Sequence, residues 1–294
     1  MKLFIAILKN IGVIVLAIVI FAVGQIIGGV IEEYLPVPYV NVILGCIIRI
    51  AVTMGLGWLF AVKGLKISAK DLGIVLKPGK TDLLLYALAV LLPVLMLVFY
   101  IFILPGREYV AGKGYFWLYF VNAVFSVGIP AGITEELVFR GLIFRYMERT
   151  LGVKIAVIVP ALLFASVHIS NMKTFDIVDL LLLLFAGSTV AILFTMYALR
   201  SGSIYPGAFA HAIWNALIIG GIFGMGEIVN GEVNDSYIIV PIESASKLLT
   251  GGNFGVEATV PGIIGYSLFA LIIFLVGRKA GSTEGASLKA EEEK

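Results

Sequence analysis

Acidic, basic and amide side chains interrupt the apolar sequence at three short motifs. These motifs are EELVFR with Glu135, Glu136 and Arg140, FASVH with His168, and HAIWN with His211 and Asn215. An ionisable side chain within a membrane-spanning helix costs about 2.5–3.5 kcal/mol even on the lenient insertion scale. Polar groups retained at this cost are therefore candidates for chemistry, and the two histidines of the chain are both among them.

The spacing within the motifs is that of helices. Glu136 and Arg140 are four residues apart, so they can form an ion pair on one helix face. Glu135 is rotated from Glu136 by about 100° around the helix axis. One carboxylate can therefore bind the arginine while the other points elsewhere. His211 and Asn215 are also four residues apart and share a face.

The motifs are predicted to lie at similar depth in the membrane. Depth is counted from the nearest basic residue at the predicted cytoplasmic edge, with a rise of 1.5 Å per helical residue. This places Glu135 and His168 roughly 21 Å deep, His211 roughly 17 Å and Asn215 roughly 22 Å. Three separate spans thus bring polar groups into one layer.

This set of groups can hydrolyse an amide bond. A carboxylate and an imidazole can activate a water as general base, and an imidazole and an amide can donate to a developing oxyanion. The same chemistry is open to a zinc site with Glu135, His168 and His211 as ligands. The sequence contains no GxSxG, HExxH or nucleotide-binding loop that would indicate another reaction.

Each motif also has a simpler interpretation. Glu136 and Arg140 alone would be a structural ion pair, and a single histidine or Asn215 would be an interhelical hydrogen bond. Buried sets of Glu, His and Arg also mark ion pathways, so a transporter or proton relay is an alternative. The matching depths favour a shared site over these separate explanations.

In their order and spacing the motifs resemble those of the CPBP intramembrane protease family. That family includes the type II CAAX prenyl proteases and the bacteriocin-processing and immunity proteins. Its pattern of EExxxR, FxxxH and HxxxN or HxxxD is matched at 135–140, 164–168 and 211–215. The resemblance extends over 128–217, including the SGSIYPGAFAH sequence that leads into the last motif.

The resemblance implies an endopeptidase that works inside the bilayer and depends on glutamate. By this resemblance Glu135 would be the base that activates water, and His168 would share that water. Glu136 and Arg140 would orient Glu135 and balance its charge.

The resemblance assigns His211 and Asn215 to stabilisation of the oxyanion, and it implies no cofactor. Zinc held by Glu135, His168 and His211 remains the alternative, as does a catalytically silent immunity or scaffold protein. The implied substrate is a membrane-anchored or lipidated protein or peptide.

The composition indicates an all-α polytopic membrane protein. Of the 294 residues 60% are hydrophobic and 14% are charged, with a mean hydropathy of +1.06, whereas soluble domains carry about 25% charged residues. A net charge of +2 gives no reason to expect nucleic acid as a partner. The expected partners are membrane lipids and the substrate, and the expected location is the cell membrane.

Segments of roughly 20 apolar residues predict about eight transmembrane helices. They lie near 9–31, 39–62, 82–104, 116–147, 153–169, 176–199, 203–224 and 259–277. The first is predicted to be a retained span, because its apolar part is longer than that of a signal peptide.

Basic residues orient the predicted bundle. Lys and Arg concentrate on the side of both termini, which places both termini in the cytoplasm. The acidic loop at 225–258 is predicted to face outward; its acids are Glu227, Glu232, Asp235, Glu243 and Glu257. Residues 1–280 are predicted to form a single helical membrane domain with a catalytic core at 116–224, followed by a disordered polar tail at 281–294.

Overall fold

The structure is a computed structural model. It describes the backbone of residues 1–75, 80–103, 110–111, 115–172, 174–226, 236–242, 244 and 246–292. Side chains are described in these ranges except at 80–82, 110–111 and 277–292.

Helices make up most of the described chain, as predicted. Six of them, within the described residues, are long and apolar enough to cross a membrane: Lys2–Tyr34, Val40–Leu65, Leu83–Ile103, Phe116–Leu151, Val153–Asn171 and Ile177–Ser201. The protein is therefore an all-α polytopic integral membrane protein. The remaining two predicted spans correspond to a shorter helical stretch at 205–219 and to the apolar part, Val260–Val276, of a longer helix. The count of eight spans, the cytoplasmic termini and the cell membrane as location stay predictions.

The α-helices follow one another along the chain with short connections. They are α1 (Lys2–Tyr34), α2 (Val40–Leu59), α3 (Lys80–Val98), α4 (Phe116–Val121), α5 (Ile129–Glu136), α6 (Arg145–Leu151), α7 (Val153–Val167), α8 (Ile177–Ser201), α9 (Tyr205–Trp214), α10 (Lys247–Thr250) and α11 (Val260–Glu292). Helix α11 extends into the predicted polar tail. The side chains there lie outside the described residues, so the boundaries of the domain and the disorder of 281–294 stay predictions.

Wider π-helical turns continue several of these helices. They span Phe60–Leu65, Phe99–Ile103, Asn122–Gly128, Leu137–Phe144 and Asn215–Ile219. Two of them join α4, α5 and α6 into the long span that carries the first motif. Pro130, near the start of α5, has no amide hydrogen and would clash with the carbonyl of a regular preceding turn. π-Helical turns are frequent at functional sites, and here one contains Arg140 and another begins at Asn215.

A small sheet, which was not predicted from the sequence, joins residues of the loop at 225–258 to residues outside it. Its strands are β1 (Val110–Ala111), β2 (Phe223–Gly226) and β3 (Ile238–Pro241), in the order β1-β3-β2. Strand β3 pairs antiparallel with β1, with Val110 opposite Ile239, and parallel with β2, with Phe223 opposite Ile238. The acids Glu227, Glu232, Asp235 and Glu243 lie outside the described residues.

Helices α5 and α9 approach each other closely because glycine replaces a side chain at the contact. A Cβ atom on Gly132 would lie 2.4 Å from the Ala208 carbonyl oxygen. A Cβ atom on Gly128 would lie 2.8 Å from the Ala212 carbonyl oxygen. Since α5 carries Glu135 and Glu136 and α9 carries His211, this approach positions the first motif against the third.

We predict that Gly132→Ala destabilises the protein, because its methyl group would meet a backbone carbonyl that cannot move aside cheaply. The expected loss in free energy of unfolding is about 1–3 kcal/mol. The measurement is SDS-induced unfolding in mixed micelles.

The matched control is Gly12→Ala on α1, where an added Cβ meets nothing within 4 Å. It should change the free energy of unfolding by less than about 1 kcal/mol. Equal stability of the two variants would contradict the close approach of α5 and α9.

Candidate active site

The carboxylate of Glu136 connects the first and third motifs. It is fully buried, and its Oε1 accepts hydrogen bonds from Arg140 Nη1 at 2.9 Å and from His211 Nδ1 at 3.0 Å. Its other oxygen, Oε2, has no hydrogen-bond partner among the described residues. One buried oxygen thus fixes an arginine from its own span and a histidine from α9.

Arg140 is enclosed by protein on every side, with 2% of its surface exposed. Besides binding Glu136, it donates from Nη2 to the Ala191 carbonyl of α8 at 2.8 Å. The rings of Phe164 and Phe194 lie 5.0 and 5.3 Å from its guanidinium carbon, at a distance suited to cation–π attraction. A buried cation held in this way balances the charge of one of the two neighbouring glutamates.

The imidazole of His211 lies between the two glutamates. It stacks on Phe194 with ring centroids 4.6 Å apart. A carboxylate can only accept a hydrogen bond, so in the contact with Glu136 the proton is on Nδ1 of His211. Its Nε2 lies 3.9 Å from Glu135 Oε2, which is too long for a hydrogen bond but close enough for both to contact one small molecule.

Glu135 differs from Glu136 in its access to water. Its side chain is 16% exposed, against 1% for the Glu136 side chain. Within the described chain, the approach to His211 is the one ion-pair contact of Glu135 with a basic residue. The two adjacent carboxylates therefore have different surroundings, as the rotation about the helix axis predicts. Glu136 is bound by Arg140 and His211, and Glu135 is left for another role.

His168 lies just beyond α7, at the start of a 3-10 turn that spans His168–Asn171. Its Nδ1 lies 2.7 Å from the Phe164 carbonyl oxygen. A carbonyl can only accept, so Nδ1 carries the proton and Nε2 of the neutral ring is left with its lone pair. The FxxxH spacing thus fixes a tautomer that can accept a proton from water.

A single cavity brings the second and third motifs together. It has a volume of about 50 Å³, and His168, His211 and Asn215 are among the side chains that line it. Because one water needs roughly 10–15 Å³, it has room for a few waters or for one reacting bond and a water. Glu135 does not line this cavity, but its carboxylate lies beside Nε2 of His211, which does.

The zinc alternative requires Glu135, His168 and His211 to converge on one ion. Within the described ranges, no three side chains of His, Cys, Asp or Glu converge as a metal-binding group. Each histidine donates from Nδ1, His211 to Glu136 and His168 to the Phe164 carbonyl, so Nε2 is the nitrogen of each ring that could bind a metal. Glu135, His168 and His211 do not fit a zinc site because they do not converge, and not because of these hydrogen bonds.

Sequence reasoning missed Glu257 as a residue of this site. It was grouped with the other acids of the loop at 225–258, and the structure places it in the lining of the same cavity as His168, His211 and Asn215. The side of the membrane that this loop faces stays a prediction. Hydropathy alone does not predict that the chain folds back and brings one acid of the loop to the histidines. The isolated acid in GVEATVPG, next to the last apolar run, was the one signal available.

Hydrogen bonds from three helices hold the segment around Glu257. The Tyr266 hydroxyl of α11 donates to the Glu257 carbonyl at 3.1 Å. The Tyr100 hydroxyl donates to the Leu249 carbonyl at 2.9 Å. Asn253 donates from Nδ2 to the buried Asp179 of α8 at 2.7 Å. The position of Glu257 is therefore fixed from several sides.

An ion pair anchors the start of this segment. Lys247 Nζ lies 2.9 Å from Asp176 Oδ1 and 3.0 Å from Asp179 Oδ1. The hydrogen bond from Lys247 holds the pKa of Asp176 below its usual value. Asp176 also caps α8 by accepting from the Val178 and Asp179 amides.

The comparison with known families covers the three motifs. Residues 113–217 match the model of the family described as Type II CAAX prenyl endopeptidase Rce1-like, which confirms the resemblance. No curated protein and no solved structure matches the chain. The family match supports a CAAX-type intramembrane protease in general.

We predict that Arg140→Met lowers the free energy of unfolding by about 3–5 kcal/mol, because it leaves the Glu136 carboxylate buried without its cation. The measurement is SDS-induced unfolding of the purified protein in mixed micelles.

The control is the same change at Arg149, whose ion pair with Asp71 is nearly half exposed on both sides. Arg149→Met should cost less than about 1 kcal/mol. A small effect of Arg140→Met would mean that Glu136 does not depend on this partner.

Proposed function

We propose that the protein is a CAAX-type intramembrane endopeptidase that depends on glutamate and hydrolyses a membrane-anchored or lipidated peptide. The observation that carries the proposal is one small cavity lined by His168, His211 and Asn215, with Glu135 beside His211. The cavity and the adjacent Glu135 together offer a base, a second proton acceptor and an amide donor to one water and one carbonyl.

In the first step, Glu135 takes a proton from water while the water oxygen attacks the scissile carbonyl carbon. The greater exposure of Glu135 and its lack of a fixed partner support this role over Glu136. His168 shares the water through Nε2, since its Nδ1 proton is committed to the Phe164 carbonyl. General-base catalysis of this kind contributes about 10²–10⁴-fold to the rate.

The oxyanion that forms on the carbonyl oxygen needs hydrogen-bond donors, on the side of the carbonyl away from the attacking water. Asn215 supplies its side-chain N–H. His211 supplies Nε2–H when its ring carries both protons, while its Nδ1–H continues to donate to the Glu136 carboxylate. A donor of this kind contributes about 10²–10³-fold to kcat.

Glu136 and Arg140 act as positioning residues in this mechanism. Neither needs to touch the substrate. Glu136 fixes the orientation and tautomer of His211, and Arg140 limits the negative charge that two adjacent carboxylates would otherwise place beside the reacting water.

We predict that Glu135→Gln lowers kcat by about 10²–10⁴-fold without unfolding the protein, because glutamine cannot accept the proton of water. The assay uses a fluorogenic peptide with a farnesylated C-a-a-X end in micelles, together with the same peptide without the lipid.

The matched control is Glu33→Gln at the exposed end of α1, which should leave cleavage unchanged. Full activity in Glu135→Gln would exclude Glu135 as the base. The peptide sequence before the lipidated residue can be varied in this assay. If the wild-type protein cleaves none of these peptides, with or without the lipid, the silent or transporter-like alternatives are favoured.

We predict that tight chelators leave the cleavage rate unchanged, because Glu135, His168 and His211 do not converge as a metal-binding group among the described residues. The measurement is kcat after prolonged incubation with 1,10-phenanthroline, with a known zinc protease in the same micelles as control. Loss of activity that added zinc restores would support the metal alternative.

A further inference from the structure

Glu257 lies where two cavities meet. It lines the cavity of about 50 Å³ with His168, His211 and Asn215. It also lines a second cavity of about 180 Å³, whose wall includes Phe223, Gly224 and Met225 of β2 and Ser236. Phe254 is the other residue common to both cavities.

The carboxyl group of Glu257 has no evident part in holding the fold together. Its segment is held by main-chain groups and by neighbouring side chains, as with the bond from Tyr266 to the Glu257 carbonyl. No hydrogen bond or ion pair engages its carboxyl group within the described chain. An ionisable group placed at a cavity without a structural partner is a candidate for chemistry.

The surroundings of Glu257 favour a neutral acid. The charged and titratable groups on the elements around it are Glu135 of α5, Tyr100 after α3, His168 after α7, Asp179 of α8, His211 of α9, Lys247 of α10, and Tyr266 of α11. Lys247 is already bound by Asp176 and Asp179. Burial first, and then the negative charge of Glu135, raise the pKa of Glu257 to about 8.

We propose that Glu257 is a catalytic acid that gives its proton to the leaving nitrogen of the scissile peptide bond. This inference rests on the proposed endopeptidase function. Asn215 and His211 serve the carbonyl oxygen in the first cavity, so a donor at the junction of the two cavities faces the other side of the bond. The leaving part of the substrate then extends along β2 in the second cavity.

The proton transfers balance in this scheme. Glu135 takes one proton from water, the new C–O bond forms, and the carbonyl electron pair moves onto oxygen. Glu257 then protonates the nitrogen and becomes a carboxylate. The oxyanion electrons re-form the carbonyl as the C–N bond breaks, which releases an acid and an amine. Glu135 passes its proton to Glu257 through cavity water, and both residues return to their starting forms.

The test compares two substrates that differ in their leaving group. One is the lipidated peptide with its normal amide bond. The other has a p-nitrophenyl ester at the same position, and its leaving group departs without protonation. Glu257→Gln should lower kcat on the amide by about 10²-fold or more with KM unchanged. On the ester its rate should stay within about threefold of the wild-type rate.

The pH profile provides a second readout. Glu257 is protonated below its pKa and loses the proton above it, so wild-type kcat on the amide should fall as pH rises above about 8. Glu257→Gln should be slow throughout, without this fall. Glu257→Asp keeps a proton donor and should retain part of the activity. SDS-induced unfolding checks that both variants are folded.

Failure of this inference is distinguishable from failure of the proposed function. If Glu135→Gln abolishes cleavage while Glu257→Gln cleaves the amide at the wild-type rate, the endopeptidase function stands and the acid role is overturned. Equal losses on amide and ester by folded Glu257→Gln also overturn it, because a purely structural defect affects both. Unimpaired cleavage by Glu135→Gln overturns the proposed mechanism itself.

Discussion

The arrangement depends on one buried oxygen, Glu136 Oε1, which accepts from both Arg140 and His211. A buried carboxylate is tolerated only with such partners, so α5 and α9 must lie close enough for the histidine to reach it. Gly128 and Gly132 permit that approach. The close contact of α5 with α9 and the pairing of the buried Glu136 carboxylate are therefore one requirement. The first and third motifs are positioned against each other by satisfying it.

Arg140 extends this constraint to a third helix. Its second nitrogen binds the Ala191 carbonyl of α8, and aromatic rings from α7 and α8 cover its faces. The Phe164 ring lies against the arginine, and its carbonyl sets the tautomer of His168. The positioning of the candidate base and of its histidine partner thus depends on the same buried charge pair.

The residues of the three motifs and the helical fold were predictable because the cost of polar groups in hydrocarbon makes them conspicuous in apolar sequence. The helical spacing of Glu136 and Arg140 predicts their ion pair, which forms even though Arg140 lies in a π-helical turn. Glu257 and the small sheet were not predictable in this way. Their positions depend on contacts such as Asn253 with Asp179, between residues far apart in sequence, which leave no periodic signal.

The most direct measurement of the central claim is an experimental structure of a slowly cleaving Glu135→Gln variant with an uncleaved lipidated peptide bound. The scissile carbonyl is expected to lie in the cavity of His168, His211 and Asn215. The carbonyl oxygen should be within about 2.6–3.2 Å of the Asn215 amide, and a water should lie between residue 135 and His168. A peptide whose scissile bond lies outside this cavity, with ordered density for the whole site, would contradict it.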